Sequence, residues 1–146
     1  MKTMTDFKVL QVTWTSHQAA LMLVREAVFI KEQHVPVDLE WDGLDEVATH
    51  LLVLDASSHA IACARILPSG HIGRMAVLKD WRGLGIGRAV LTHAIAFCQA
   101  QEFNTIQLSA QKHALGFYKQ AGFVVNSSEY MDAGIPHCDM KLSISD

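Results

Sequence analysis

Seven consecutive residues carry most of the structural information in this chain: Arg82-Gly83-Leu84-Gly85-Ile86-Gly87-Arg88. They join a β-like run at residues 72–78 to a strongly helical run at residues 89–102. A glycine-rich turn from strand to helix leaves backbone N–H groups without partners at the helix N-terminus, which carries about half a positive charge. Because two arginines add to that charge, the segment predicts a binding site for a diphosphate group.

Two familiar glycine loops do not fit this segment. A Rossmann dinucleotide site requires an acidic residue about 20 positions further on, on the next strand, whereas residues 105–109 read Thr-Ile-Gln-Leu-Ser. A P-loop requires Gly-x-x-x-x-Gly-Lys-Ser/Thr. If Gly83 is taken as the first glycine, the position of the second glycine is occupied by Arg88, and no Lys-Ser/Thr follows it. A turn without a ligand is the remaining alternative, but three alternating glycines between two arginines exceed what a turn needs.

The spacing Arg82-x-x-Gly85-x-Gly87 matches the Arg/Gln-x-x-Gly-x-Gly/Ala motif of the GCN5-related N-acetyltransferases (GNAT). The chain resembles this family over most of its length, through Ile-Gly-Arg-Met-Ala-Val at residues 72–77, Ala-Gln-Lys-His at residues 110–113 and Gly-Phe-Tyr-Lys-Gln-Ala-Gly-Phe at residues 116–123. Two further segments, Phe-x-x-Glu-Gln-x-Val-Pro at residues 29–36 and Glu-Tyr-x-x-x-Gly-Ile-Pro-His at residues 129–137, resemble its ElaA-like or YjcF-like branch of small proteins.

The resemblance implies an α/β (α+β) GNAT fold in a single N-acetyltransferase domain, residues 1–146. In that fold a mixed central sheet of roughly six to seven strands is combined with about four helices, and a cofactor slot opens between two splayed central strands. The family also implies a bulge in the strand just before the glycine motif. The order of the blocks is specific for the family but not for a substrate.

Hydrophobic periodicity predicts where the individual elements lie. The predicted strands are residues 7–13, 50–55, 60–67, 71–78, 105–109, 122–125 and 139–144. The predicted helices are a first one, which Ser16 caps and which runs to about residue 31, and then residues 89–102 and 113–120. The acidic segment at residues 34–46, broken by Pro36 and Gly43, is predicted to be a loop with one helical turn.

Composition limits the classes of protein to which the chain can belong. With 146 residues, 50% of them hydrophobic and 18% charged, the chain is long enough for one domain with a buried core and too apolar for disorder. The net charge of −3 argues against a nucleic-acid partner. No apolar run reaches the length of about 18 residues that predicts a membrane span, and the first six residues lack a signal-peptide core.

The cysteines and histidines point to a reduced protein without a metal site. Cys63, Cys98 and Cys138 lie far apart, which predicts free thiols and a cytoplasmic location. Cys98 falls on the apolar stripe of its helix, so we expect it in the core. The histidines show no spacing typical of zinc ligands. Many members of the family pair as dimers, so the resemblance leaves a homodimer open.

The resemblance implies acetyl-CoA as co-substrate and an N-acetyltransferase that acts by direct attack of a small molecule's primary amine in a ternary complex. The uncharged pantetheine arm of CoA would pair with a strand edge as a peptide does. The predicted cofactor-binding residues are Met75, Ala76, Val77, Arg82, Gly83, Leu84, Gly85, Ile86, Gly87, Arg88, Gln111, His113 and Tyr118. Two alternatives stay open: a non-catalytic CoA-binding sensor or partner module, and a protein or peptide N-acetyltransferase.

Acetyl transfer releases a thiolate, which a nearby hydroxyl acid can protonate. A CoA thiolate resembles that of cysteine, whose thiol has a pKa of about 8.5. Tyr118, in Gly-Phe-Tyr-x-x-x-Gly-Phe, matches the general-acid tyrosine of the family, so we expect it to be catalytic. The alternative is a ring that packs between helix and sheet. A backbone N–H near residues 75–77 is expected to bind the oxyanion.

The proton acceptor for the amine is open among several residues. In the family the acceptor side is formed by the first helix and the following loop, which gives Glu32, Asp42 and Asp45 the first claim as base or amine-binding carboxylates. The alternative is that this acidic loop is only a solvated surface. His137 competes as base because an imidazole titrates near neutral pH, or it only fixes the final loop. Two alternatives stay open for Arg74: it binds a carboxylate of the substrate, or it lies on the surface.

Overall fold

The computed structural model describes residues 6–144. In chain order its strands and α-helices are β1 Phe7–Val12, α1 Trp14–Arg25, α2 Val37–Glu40, β2 Thr49–Asp55, β3 Ala60–Ile66, β4 His71–Val77, α3 Ile86–Ala100, β5 Thr105–Gln111, α4 Leu115–Gln120, β6 Val124–Val125, β7 Tyr130–Asp132 and β8 Ile135–Ser143. A π-helical segment, Glu26–Glu32, follows α1 directly, and 3₁₀ turns lie at Asp45–Val47, Lys79–Trp81 and Lys112–Ala114. The predicted absence of a signal peptide concerns residues 1–6, of which the first five lie outside the described residues.

The strands form one mixed sheet in the order β1-β2-β3-β4-β5-β8-β6, and β7 pairs with β8 outside that order. All neighbouring strands are antiparallel except β4 and β5, which are parallel. Four α-helices accompany this sheet. The predicted fold, a mixed sheet with about four helices, is therefore confirmed, and the sheet gains an eighth strand.

Two hydrophobic clusters cover the two faces of the sheet. One contains Cys98 of α3 and Ile106 of β5, and the other contains Leu21 of α1 and Leu52 of β2. Successive residues of β2 alternate between the two clusters, as the side chains of a strand do. The predicted core position of Cys98 is confirmed, since the residue is completely buried.

The N-cap of helix α1 lies three residues before the predicted cap. Thr13, not Ser16, is the N-cap: its hydroxyl accepts a hydrogen bond from the Ser16 N–H at 3.1 Å, and the Ser16 hydroxyl accepts one from the Thr13 N–H at 3.2 Å. This reciprocal pair is a capping box, in which both residues serve the same helix start. The helix reaches the predicted end, but beyond Arg25 it continues in the π form, a local widening that is frequent at functional sites.

Among residues 6–144 the sheet has one parallel contact, and it is short. Its register joins His71 with Gln107 and Ile72 with Leu108, and we call these two pairs the seam. Beyond Ile72, within the described residues, β4 has no strand partner on the side of β5. The two central strands therefore separate toward their C-terminal ends, as the family resemblance implies.

A β-bulge lies on the separating part of β4. The register of β3 and β4 places both Arg74 and Met75 opposite the single residue Ala64, and Arg74 has a φ of +50°. Because a bulge bends and twists its strand, it turns β4 away from β5 directly after the seam. The bulge that the resemblance implies is thus present.

The C-terminal hairpin differs from the sequence prediction. Strands β7 and β8 form an antiparallel hairpin around Ala133 and Gly134, both with positive φ. The prediction has no strand at residues 130–132 and begins the last strand at Asp139, which is wrong because β8 begins at Ile135. Two signals mislead: Pro136 argues against a strand interior, and alanine is an unusual residue for the left-handed first position of a hairpin turn.

Candidate active site

A cavity of about 990 Å³ lies where β4 and β5 separate. Its size is at the upper end of the range for small-molecule and cofactor sites. Its walls include these predicted residues: Met75, Ala76, Val77, Arg82, Gly87, Gln111, His113 and Tyr118 from the cofactor side, and Glu32, Asp42, Arg74 and His137 from the acceptor side. Other predicted residues lie outside the walls, namely Gly83, Leu84, Gly85, Ile86, Arg88 and Asp45. The fold thus brings most of the predicted site together around one cavity.

The start of α3 is built for an anion. Gly85 is the N-cap, with a φ of +83°, and no side chain caps the helix there. Gly83 also has a positive φ, of +78°, a conformation that glycine adopts without strain. The N–H groups of Ile86, Gly87 and Arg88 have no acceptor within the helix, as in the first turn of any α-helix. These backbone donors and the helix dipole suit a diphosphate.

Arg82 is held by protein groups on all sides of its guanidinium. Its Nη1 and Nη2 each lie 2.7 Å from a carboxylate oxygen of Glu32, and its Nε donates to the Val77 carbonyl at 3.0 Å. These hydrogen bonds lower the pKa of Glu32. An ion-paired carboxylate with a lowered pKa is a poor proton acceptor, so the geometry disfavours Glu32 as the catalytic base.

The Tyr118 hydroxyl points to the bulged strand across the cavity wall. It donates a hydrogen bond to the Met75 sulfur at 3.7 Å, while the ring packs edge-on against Phe117 and Phe123. Burial raises the pKa of Tyr118 to about 12. The phenol therefore keeps its proton at neutral pH and can donate it, or a hydrogen bond, to a group in the cavity.

A cluster of three arginines and three carboxylates borders the acceptor side of the cavity: Arg25, Arg65, Arg74, Glu40, Asp42 and Asp45. Arg25 is completely buried between Trp14 and Trp41, and its guanidinium binds Glu40 at 2.7 Å and Asp45 at 2.6 Å. Each buried charge of the cluster has a partner of opposite sign, although the Nε atoms of Arg65 and Arg74 have no hydrogen-bond acceptor among the described residues. The cluster fixes the acidic loop to the sheet.

Asp45 belongs to this cluster and not to the cavity. It is buried, and its carboxylate binds both Arg25 and Arg65. Because it does not line the large cavity, we remove Asp45 from the acceptor-binding residues. Arg74 does line the cavity, where its Nη2 donates to Asp42 at 3.1 Å and to the Glu40 carbonyl at 3.1 Å.

Asp42 is bound at both carboxylate oxygens by Arg65, at 2.8 and 2.9 Å. Burial alone would raise the pKa of Asp42, but the hydrogen bonds from Arg65 and from the Leu44 N–H outweigh it and lower that pKa to about 2. The ordinary pKa is 3.8, so Asp42 stabilises the folded state above about pH 4, and this contribution is lost as the pH falls toward 2.

We expect Asp42→Asn to lower the free energy of unfolding at pH 7 by about 1 kcal/mol. The shift corresponds to roughly 2 kcal/mol, which solvent reduces because 27% of the side chain is exposed. Urea unfolding of both proteins between pH 7 and pH 2 measures the difference, which should narrow below pH 4. A difference that stays constant down to pH 2 would contradict this account.

His137 is fixed in one tautomer by its backbone contact. Its Nδ1 lies 2.6 Å from the Ile135 carbonyl, which only accepts, so Nδ1 carries the proton and Nε2 presents a lone pair. The ring stacks on Tyr130, with the ring centroids 6.0 Å apart. The Tyr130 hydroxyl donates to Asp139 at 2.5 Å and also contacts the Ser109 hydroxyl. These contacts fix the orientation of the His137 ring in the cavity wall.

Several cavity residues escape sequence reasoning. Asp132 belongs to the unpredicted strand β7, and Ser109 ends the predicted fifth strand. Gln33 binds Gln111 through its side-chain amide, at 2.8 Å. The sequence signal that could have identified Gln33 as a cavity residue is its position beside Glu32 in the Phe-x-x-Glu-Gln segment.

His113 is exposed and lies in the 3₁₀ turn after β5, at the cavity wall. The three cysteines are free and buried. Among residues 6–144, no three His, Cys, Asp or Glu side chains are grouped so that they could hold a metal ion. No helix in the described part of the chain is both long and apolar enough to cross a membrane.

Comparisons with known proteins agree with one another. The profile of the acetyltransferase (GNAT) domain matches residues 10–144. The chain is 35% identical over 120 residues to the uncharacterized N-acetyltransferase YjcF of Bacillus subtilis, an alignment that covers 80% of this chain and 86% of that protein.

Solved structures of N-acyltransferases and of ElaA have the same fold as this chain. The crystal structure of Escherichia coli ElaA has a TM-score of 0.84 at 28% identity, with 92% of this chain and 98% of ElaA covered. An acyl-CoA N-acyltransferase from Pseudomonas aeruginosa has a TM-score of 0.83 at 28% identity, with 92% and 98% covered.

Proposed function

Because the chain belongs to the acetyltransferase (GNAT) domain family, we propose that it transfers the acetyl group of acetyl-CoA to a primary amine of a small molecule by direct attack in a ternary complex. Membership of the family makes the protein an N-acyltransferase that uses an acyl-CoA donor. The acetyl group, the small amine and the roles of individual residues are our proposal.

The observation that carries this proposal is the position of the seam. Beyond Ile72, the edge of β4 is open to the cavity, and the chain leads from the end of β4 to the uncapped start of α3. An acyl-CoA has matching parts in the same order: an acyl thioester, an amide-containing arm and a diphosphate. The backbone of Met75, Ala76 and Val77 would bind the arm, and the N–H groups at the start of α3 would bind the diphosphate.

The residues on the two sides of the cavity supply the proton transfers. The amine nitrogen attacks the thioester carbonyl carbon, and a backbone N–H near Ala76 stabilises the oxyanion. The C–S bond then breaks, and the sulfur takes a proton from Tyr118, whose raised pKa keeps it protonated. His137 Nε2 accepts the proton that the amine nitrogen loses. The products are the N-acetyl amine and free CoA, and the proton on His137 returns through solvent to the Tyr118 phenolate, so both residues regain their starting state.

The acceptor binds on the side of His137 and the arginine–carboxylate cluster. Glu32, Asp42 and Arg74 line this side and are ion-paired with one another or with Arg82 and Arg65. We propose that they shape and polarise the acceptor site and that His137 replaces Glu32 as the base.

The remaining features of the proposal are a single domain at residues 1–146, a cytoplasmic location, supported by the buried free thiols, and a homodimer as in many members of the family.

We expect His137→Gln to lower kcat/KM at pH 7 about tenfold, because glutamine does not titrate and a solvent water must accept the proton in its place. Steady-state kinetics at pH 7 measure this loss, and titration calorimetry with CoA should show native affinity for the donor. An undiminished kcat/KM in the variant would exclude His137 as the base.

The experiment that tests the function is release of free thiol from acetyl-CoA across a panel of small amines, amino acids and peptides. Release with small amines is the expected result. Binding of CoA without release for any acceptor would favour the CoA sensor or partner module, and release with peptides alone would favour a protein or peptide acetyltransferase.

A further inference from the structure

Glu32 and Gln33, two adjacent residues at the end of the π-helical segment, are connected with different strands. Glu32 is connected with β4 and Gln33 with β5. Glu32 binds Arg82 through both carboxylate oxygens at 2.7 Å, and Arg82 in turn donates from Nε to the carbonyl of Val77, the last residue of β4. Glu32 is therefore linked to the C-terminal end of β4. All of these contacts lie beyond the seam, where β4 has left β5.

Gln33 makes the corresponding contact on β5. Its side-chain oxygen accepts a hydrogen bond from Gln111 Nε2 at 2.8 Å, and its Nε2 donates to the Gln111 oxygen at 3.4 Å. Gln111 is the last residue of β5. The Gln33 N–H is bound to the Val28 carbonyl at 3.0 Å, so the π turn itself holds this residue in place.

These contacts span the open end of the slot. Glu32, Gln33, Arg82 and Gln111 all line the cavity. The two strands have no direct pairing there, so their separation depends on groups that reach both of them. Two neighbouring residues provide this connection: Glu32 reaches the end of β4 through Arg82, and Gln33 reaches the end of β5 directly.

We propose that Glu32 and Gln33 form a clasp that fixes the width of the slot and thereby positions the pantetheine arm of the donor. The inference rests on the proposed function, and it gives Glu32, Gln33, Arg82 and Gln111 positioning roles. Glu32 and Val77 bind three of the five N–H groups of Arg82, so we assign the diphosphate mainly to the backbone donors of α3. The clasp acts on the arm and not on the nucleotide end of CoA.

Titration calorimetry with two probes, CoA and ADP 3′-phosphate, tests this separation. ADP 3′-phosphate carries the diphosphate but no pantetheine. Gln33→Met keeps the volume of the side chain and removes its hydrogen bonds, so we expect it to weaken CoA binding about fivefold and to leave ADP 3′-phosphate binding within twofold. Gln33→Glu keeps the acceptor for Gln111 and should restore most of the CoA affinity.

Glu32→Gln releases the other side of the clasp, and we expect about fivefold weaker CoA binding and a higher KM for acetyl-CoA. Since the two contacts are the two ends of one bridge, either single variant opens it, and the double variant should lose little more affinity for CoA than either single variant. Equal loss for both probes, or undiminished CoA affinity in the double variant, would overturn the clasp. A lower kcat in Glu32→Gln at native CoA affinity would instead make Glu32 the base and also overturn it. A native chain that binds neither probe would refute the proposed function itself.

Discussion

A Gly87→Phe variant is expected to bind CoA at least about 100-fold more weakly than the native chain while it keeps its fold. A Cβ at Gly87 would lie 3.5 Å from Phe117 Cζ and 3.9 Å from Val77 Cγ2, both in the cavity wall, so a larger side chain must extend into the cavity. It would cover the N–H groups that bind the diphosphate. Hydrogen bonds to a charged group contribute about 1.5–3 kcal/mol each, and the loss of two exceeds a hundredfold in Kd.

Gly116→Phe is the matched control for this substitution. Gly116 is also helical, no atom lies within 4 Å of a Cβ built there, and the residue does not line the cavity. Titration calorimetry with CoA and thermal unfolding should show native affinity for the control and an unchanged unfolding midpoint for both variants. CoA affinity that survives in Gly87→Phe would refute the start of α3 as the diphosphate site.

A Tyr118→Phe variant is expected to lose on the order of 10²-fold in kcat, with little change in the affinity for CoA. The substitution keeps the ring contacts with Phe117 and Phe123 and removes only the hydroxyl. The departing thiolate then has no acid beside it. Because burial raises the pKa of Tyr118 to about 12, the native enzyme should show no loss of kcat from this group up to about pH 10.

Steady-state kinetics with saturating amine and calorimetry with CoA separate the two quantities for Tyr118→Phe. Unchanged turnover would leave the tyrosine a packing residue, as the alternative interpretation has it. A parallel loss of CoA affinity would indicate that the hydroxyl contributes to binding and not to the chemical step.

The strongly patterned parts of the fold are readable from the sequence. The alternation of apolar residues gives strands β2 to β5, and the glycine motif gives the start of α3 within three residues. These features depend on local chemistry, namely side-chain period and glycine conformation. The bulge at Arg74 is different, because a positive φ at an arginine has no local sequence signal; only the family resemblance implies it.

The partners of the charged residues are not readable in this way. Glu32 and Arg82 are 50 residues apart, and Arg25 meets Asp45 through the path of the intervening loop. The sequence does not show which of these charged residues are paired. A carboxylate that binds an arginine in the fold is therefore easily predicted to be a free catalytic base. The tautomer of His137 likewise depends on a carbonyl contact within the hairpin turn that the sequence conceals.

The shortness of the seam affects how the molecule opens. Strands β1–β4 and strands β5–β8 each form an antiparallel group, and only the seam, together with the Gln107 N–H bond to the Gly70 carbonyl at 3.1 Å, continues the backbone ladder between them. In native-state hydrogen exchange these amides should lose protection before the interior of either group. A donor molecule bound between Val77 of β4 and Gln111 of β5, which both line the cavity, would contact both groups and slow that exchange.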